Sequence, residues 1–327
     1  MKLVVLDGYT LNPGDLDWSG LMSLGDLKVY DRVSSDPNDV DIILSHIGDA
    51  EAVFTNKTPL PRAVIERIPN LSYIGVMATG FNVVDIEAAR DRNVPVCNVP
   101  VYGTSAVAQT AIALLLELCH HVGEHNHAVK EGAWCRCEDY SFWNYPLIEL
   151  DGQTMGIIGL GRIGKKTAEI AQALGMKVLA YDKFPNSSLE SDTLQYVELE
   201  KLVAKSDVIV LHCPQTPENT GIINRDLIAK MKDGVFIINN SRGPLIVPED
   251  LADALMSGKV GGAALDVIPV EPMQETDVLR FARNCIITPH LSWAPRASRA
   301  RLMDTLVENL AAFQKGAPQN VVNQRVQ

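Results

Sequence analysis

The chain has 327 residues, 46% of them hydrophobic and 21% charged, with a formal net charge of −11. A single hydrophobic core rarely grows past about 250–300 residues, so this length predicts two domains, and the balanced composition excludes a disordered chain. The acidic balance speaks against a nucleic-acid partner, which would need a basic face.

The N-terminal apolar run is too short for a secretory signal, and acidic and turn residues follow it at once. The longest apolar stretch, residues 106–119, is cut by Gln109, Thr110 and Glu117, well short of the about 18–20 unbroken apolar residues of a membrane span. Six cysteines at positions 97, 119, 135, 137, 213 and 285 are scattered through a chain too large to need disulfides as staples. The expectation is a cytoplasmic protein with no membrane partner.

Short β-branched and apolar runs at 2–7, 51–55, 71–77 and 94–99 predict buried strands, and 61–68 and 84–92 carry helical period and charge. Strands alternating with helices imply an α/β domain with a parallel sheet. A single long helix is predicted over 104–130, followed by an irregular aromatic stretch at 135–150. Cys119, His120, His121, His125, His127, Cys135 and Cys137 superficially suggest a metal site. Cys-x-Cys is tighter than the usual zinc spacing, so structural or surface histidines and no metal are expected. A second βα series follows, with strands predicted at 153–160, 177–182, 206–213, 234–241, 261–267 and 284–289. Six strands with intervening helices fit a doubly wound nucleotide-binding sheet. Residues 295–318 read as a helix again.

Gly159-Leu160-Gly161-Arg162-Ile163-Gly164 ends the first strand of this second series and opens a helix. In that context Gly159 allows a tight turn, Gly161 lets the backbone approach a pyrophosphate, and Gly164 lets helix and strand pack closely. Asp182 ends the next strand, where a carboxylate accepts hydrogen bonds from the adenosine ribose. A carboxylate there repels a 2′-phosphate, which favours NAD over NADP.

Three further motifs sit just past predicted strand ends: Ser241-Arg242-Gly243, Asp266 with Glu271-Pro272, and Thr288-Pro289-His290. Taken together they supply what reduction of a 2-keto acid requires. Arg242 is the candidate bidentate clamp for the substrate carboxylate. His290 is the candidate proton donor to the carbonyl oxygen, and Glu271 the carboxylate that would orient its ring and stabilise the imidazolium.

With these motifs in this order, the chain resembles the D-isomer-specific 2-hydroxyacid dehydrogenase family over nearly its whole length. The resemblance implies an NAD domain, residues 100–290, inserted into a discontinuous substrate-binding domain made of 1–99 and 291–327, both Rossmann-like or flavodoxin-like α/β. It implies Arg242, Glu271 and His290 as clamp, orienting acid and proton donor. In the loop Met77-Ala78-Thr79-Gly80-Phe81-Asn82, backbone N–H groups at Ala78, Thr79 and Gly80 would hold the substrate carboxylate. Thr104, Arg162, Ile163, His212, Cys213, Pro214, Asn240 and Asp266 would line the NAD pocket with the three glycines and Asp182. Trp293 resembles the glycerate dehydrogenase/hydroxypyruvate reductase branch, and its indole N–H is a candidate donor to a substrate 3-hydroxyl. The expected reaction is therefore reduction of hydroxypyruvate or glyoxylate by NADH. Alternatives are a D-lactate or 3-phosphoglycerate type of dehydrogenase, or an NAD-sensing binding protein. The helix at 104–130 and the aromatic segment 134–145 resemble the family's dimerisation region, with Trp134 and Trp143 as interface candidates of a homodimer.

Overall fold

A computed structural model describes residues 1–324. Residues 325–327, the end of the predicted substrate-binding domain, lie outside the described residues. The chain forms two compact units, one from residues 1–103 and 294 onward, the other from 104–293.

The first unit is built on a five-stranded, all-parallel sheet. Its strands are β1 (Lys2–Val5), β2 (Asp26–Val29), β3 (Ala52–Thr55), β4 (Tyr73–Val76) and β5 (Val96–Cys97), in the order β2-β1-β3-β4-β5. The three middle strands are buried on both faces, as parallel strands covered by helices must be. On one face, Val4, Val53, Ile74 and Val96 join a core with Ile43, Ile47, Val64 and Ala88 from the covering helices. On the other face, Tyr73 packs against Phe313 of the helix Arg296–Gln314, ring centroids 5.0 Å apart. Two elements here lacked a sequence signal. Strand β2 is half-exposed and polar at alternate positions, and the helix Val40–Ile47 buries only Ile43 and Ile47.

The second unit holds a seven-stranded, all-parallel sheet: β6 (Thr154–Ile158), β7 (Lys177–Tyr181), β8 (Leu194–Tyr196), β9 (Val208–Leu211), β10 (Val235–Asn239), β11 (Val260–Leu265) and β12 (Cys285–Ile287). Their order is β12-β11-β10-β9-β6-β7-β8. Six of these strands were expected. The seventh, β8, is a three-residue edge strand too short to announce itself in the sequence. Strand pleating divides the core in two. Met155, Ile157, Val208, Val210, Phe236 and Ile238 face one side with Leu115 and Leu118. Ile158, Ile209, Leu211, Val235 and Ile237 face the other with Leu251 and Leu202.

The single helix expected over 104–130 is instead two, Thr104–His120 and Val122–Lys130, bent by 55°. His121 between them takes a left-handed backbone, φ 48°. The first helix buries eight residues and the second none, so burial ends where the chain turns. The Glu117 carboxylate bridges the break by accepting from the Gly123 N–H at 2.9 Å. Among the described residues no single helix is long and apolar enough to cross a membrane. The bent pair passes on length and composition alone, and the buried face of its first helix belongs to the core.

Candidate active site

Strand order reverses in the second unit between β6 and β9, and in open parallel sheets ligands bind beyond the carboxyl ends of strands at such a point. The glycine loop after β6 lies there. Gly159 has φ +99°, and a Cβ on it would come within 2.4 Å of the Cys213 backbone nitrogen. A Cβ on Gly164 would lie 2.2 Å from the Gly159 carbonyl oxygen, so the helix Arg162–Ala173 starts in direct contact with the turn. A Cβ on Gly161 would meet nothing within 4 Å. Two glycines are therefore demanded by the protein's own packing, whereas Gly161 leaves a bare approach at the helix start. No acidic side chain occupies the first helical turn, and no side chain caps it. Its N–H groups lack intrahelical acceptors and suit the pyrophosphate of a dinucleotide. The Arg162 side chain is exposed beside this approach, and Ile163 is half-buried.

Asp182 closes β7 as expected, and its carboxylate also secures the glycine loop. One oxygen accepts from the Leu160 N–H at 2.7 Å, the other from the Phe184 N–H at 2.9 Å. His212, past the end of β9, bonds through Nε2 to the Thr167 hydroxyl at 2.8 Å. It keeps some exposed surface, but burial of its imidazole holds the pKa down to about 3, so the ring is neutral at physiological pH. Cys213 is likewise buried enough to push its thiol up to about 11, and its carbonyl accepts from the Ser241 hydroxyl at 2.6 Å. The exposed Pro214 accepts through its carbonyl from the Asn219 side chain. Asn240 is buried, and its amide donates to the Val107 carbonyl at 2.8 Å and weakly to the Ser292 hydroxyl. Its Oδ1 is enclosed without a protein partner. Thr104 stands half-buried at the start of the helix Thr104–His120.

The loops after β10, β11 and β12 carry the other motifs. A Cβ on Gly243 would lie 2.0 Å from the Ile268 carbonyl, so the Arg242-Gly243 backbone runs against the segment leading to Glu271. Asn239 holds this turn by donating to the Arg242 carbonyl at 2.9 Å and accepting from the Ser241 N–H. The Arg242 side chain is exposed. Glu271 accepts from His290 Nδ1 at 2.7 Å, both side chains about one-third exposed (31% and 32%). That contact commits Nδ1 to the carboxylate and makes Nε2 the ring atom for proton exchange. His290 itself has φ 52°, a left-handed conformation that costs an ordinary residue roughly 1–2 kcal/mol. Trp293 directly follows the buried Ser292 and is half-buried.

Of the residues anticipated from sequence, Arg242, Glu271 and His290 thus lie on three neighbouring loops of one unit, with the glycine loop at the switch point of the same sheet. Ala78, Thr79 and Gly80 lie in the other unit, past the end of β4. There the Thr79 hydroxyl donates to the Val99 carbonyl, and its own carbonyl accepts from Asn98. Thr167 and Asn239 were not anticipated, since a lone polar residue in a helix or strand carries no motif.

The histidine and cysteine cluster around 119–137 has a structural account. His121 stacks on Tyr145, centroids 4.5 Å apart, while His125 Nδ1 meets the His121 carbonyl and its Nε2 accepts from the Asn144 N–H. Among the described residues no three His, Cys, Asp or Glu side chains are grouped to hold a metal ion.

Residues 112–292 match the family model described as D-isomer specific 2-hydroxyacid dehydrogenase, NAD binding domain. The chain belongs to this family. It is 61% identical over 323 residues to a hydroxypyruvate reductase of Blautia hydrogenotrophica, covering 99% of this chain and 100% of that protein. It is 38% identical to a glycerate dehydrogenase of Methylorubrum extorquens, covering 86% and 88% of the two chains. Among solved structures, a D-lactate dehydrogenase of Aquifex aeolicus, complexed with NAD and lactic acid, superimposes with a TM-score of 0.82 at 29% identity. That match covers 97% of this chain and 96% of the other. As a member of this family the chain is an NAD-dependent 2-hydroxyacid dehydrogenase, and the unit that carries the glycine loop is its NAD-binding unit.

Proposed function

We propose that this dehydrogenase reduces hydroxypyruvate, and also glyoxylate, to D-glycerate and glycolate with NADH, as a cytoplasmic homodimer. The observation that carries the chemistry is the 2.7 Å Glu271–His290 contact in the unit that binds NAD. The choice of acid rests on the 61% identity with a hydroxypyruvate reductase over the full chain.

Bound NADH supplies a hydride for carbon 2 of the keto acid. Gly159, Gly161, Gly164, Arg162 and Ile163 would hold its pyrophosphate, and Asp182 its adenosine ribose. Thr104, His212, Cys213, Pro214, Asn240 and Asp266 would line the remaining pocket. Arg242 pairs with the substrate carboxylate and leaves the carbonyl oriented. As the carbonyl oxygen becomes an alkoxide, His290 delivers a proton to it from Nε2. Glu271 fixes the ring through Nδ1. The unit formed by residues 1–103 and 294 onward would bind the substrate, its Ala78–Thr79–Gly80 backbone N–H groups holding the carboxylate. Trp293 would donate to the 3-hydroxyl that separates hydroxypyruvate from pyruvate.

The test is NADH oxidation at 340 nm with hydroxypyruvate, glyoxylate, pyruvate, 2-ketoisocaproate and 3-phosphohydroxypyruvate, repeated with NADPH. Hydroxypyruvate should exceed pyruvate and 2-ketoisocaproate in kcat/KM by tenfold or more, since a site built to bond a hydroxyl rejects its absence strongly. NADH should be preferred over NADPH. A higher kcat/KM for a bulky or phosphorylated acid would overturn the choice of substrate and the role given to Trp293.

A further inference from the structure

We infer that the Asp7 carboxylate fills an anion site at the switch point of the first unit and so excludes keto acids with a second anionic group on carbon 3, phosphorylated ones above all. The inference rests on the reading that this unit binds the keto acid through residues 78–80. Its strand order, β2-β1-β3-β4-β5, reverses between β1 and β3. In open sheets of this order phosphate-bearing ligands bind beyond the carboxyl ends of those two strands. Asp7 stands there, two residues past β1, and the turn 56–58 directly follows β3. The Asp7 carboxylate accepts from the N–H groups of Asn56, Lys57 and Thr58 at 2.8, 2.5 and 2.9 Å. Successive backbone donors that converge in this way form a concavity for an anion. The turn is held by its own residues, since the buried Thr55 hydroxyl donates to the Thr58 carbonyl. Its donors therefore stay gathered when the carboxylate is taken away. Thr58, which supplies the third N–H, is 1% exposed, and its hydroxyl has no hydrogen-bond partner among the described residues. The site thus holds one polar group more than a carboxylate uses. Burial raises the Asp7 pKa, and the three N–H groups and the Lys57 ammonium oppose that rise.

The position bears on substrate choice because the loops after β3 and β4 run side by side. Thr55 and Val76 pair in register, the Met77 N–H donates to the Thr55 carbonyl at 2.8 Å, and the Leu60 N–H donates to the Val83 carbonyl at 2.7 Å. Adjacent strands lie about 4.8 Å apart, so a substituent on carbon 3 of an acid held at Ala78–Gly80 can reach the turn 56–58. A hydroxyl there meets no conflict of charge. A phosphate meets donors already consumed and a carboxylate of its own sign behind them, which selects against it by repulsion.

The experiment uses the full-length enzyme with Asp7→Ala, which opens the site, and Asp7→Asn, which fills it without charge. Formate stands in for the lost carboxylate. Asp7→Ala should melt at least about 2 °C higher in sodium formate than in sodium chloride at equal ionic strength, and the parent and Asp7→Asn should not. With NADH, the ratio of kcat/KM for 3-phosphohydroxypyruvate to that for hydroxypyruvate should rise at least tenfold in Asp7→Ala and at least threefold in Asp7→Asn. The rise should come mainly from a lower KM for the phosphorylated acid. The NADH dissociation constant, read by nicotinamide fluorescence, should change less than twofold in both, because the glycine loop belongs to the other unit. A folded Asp7→Ala that ignores formate would overturn the anion site. An unchanged substrate ratio in Asp7→Asn would overturn the exclusion, even if Asp7→Ala does not fold. If the parent reduces neither acid, the reading of the substrate fails instead, and the formate response still decides whether Asp7 fills an anion site.

Discussion

Residues with identical motif membership can have unlike physical reasons, and the glycine loop shows it. Gly159 combines φ +99° with backbone atoms at 2.4 Å, so a methyl group there strains the fold itself. Gly161 has neither constraint. Gly159→Ala should therefore cost at least about 2 kcal/mol of stability, whereas Gly161→Ala should stay within about 0.5 kcal/mol of the parent. Their effects on cofactor reverse in meaning: Gly161→Ala should weaken NADH at least tenfold in a protein that melts normally. Thermal unfolding paired with fluorescence titration checks both, and a normal NADH affinity for Gly161→Ala would remove the pyrophosphate from that approach. His212 illustrates what a motif leaves illegible. Its neighbours identify it as a pocket position, but only the fold reveals the Thr167 hydroxyl and the burial that keep the ring neutral, with a pKa near about 3. The unfolded chain takes up a proton below about pH 6.5 that the folded protein refuses, so stability falls as pH drops from there towards 3. At pH 5 this single group should withdraw up to about 2 kcal/mol relative to pH 7. His212→Gln should flatten the dependence of urea midpoints between pH 7 and 5. An unchanged slope would mean that the ring charges in the native state.

Elements were legible where burial imposed a period. Strands of the second unit such as β6, β9 and β10 read as unbroken apolar runs because both faces are covered, and the helix after 104 read correctly as far as its buried face extends. The break at His121 did not, since a left-handed residue that is not glycine leaves no compositional mark. Nor did the segment after Gly316, which has no strand signature and yet completes a sheet. The Val322 N–H donates to Val96, and the Asn98 N–H to Asn320, so this segment covers the outer edge of β5. Asn323, 5% exposed, accepts from the Val96 N–H at 2.9 Å and donates to the Val94 carbonyl at 2.8 Å. An exposed parallel edge invites pairing with other chains, and here the backbone of residues 320 and 322 and the Asn323 side chain close it. Asn323→Ala leaves two buried backbone groups unpaired and should cost about 2–4 kcal/mol. Calorimetry should show the loss, together with greater aggregation on heating. An unaltered melting profile would mean that water replaces the side chain at that edge. Element chemistry also separates the two doubly wound sheets. Past the carboxyl ends of the paired strands β1 and β3, Asp7 accepts from the backbone N–H groups of Asn56, Lys57 and Thr58, consuming donors of the kind that the glycine loop keeps available.

At the scale of the whole molecule, surface character bears on assembly. The chain carries a net charge of −11, which on its own disfavours self-association. Against that, Val122, Val129, Trp134, Tyr140, Trp143, Tyr145 and Leu147 are exposed apolar side chains gathered within 26 residues of sequence. The helix Val122–Lys130 that carries the first two buries nothing within its own chain. Exposed aromatic side chains concentrated in one segment suit an interface, since interface cores are enriched in Trp and Tyr. A second copy is the occupant proposed above, because a two-fold contact needs only this one patch to be self-complementary. Light scattering after size exclusion should give about twice 35.7 kDa at micromolar protein. Trp134→Glu combined with Trp143→Glu would bury two carboxylates in the middle of that contact, each costing several kcal/mol, and should give a monomer. The double variant is expected to retain NADH binding, since the glycine loop and Asp182 lie elsewhere in the same unit. A parent protein that elutes as a monomer would leave the aromatic surface without its proposed partner, and a double variant that stays dimeric would move the interface to another face.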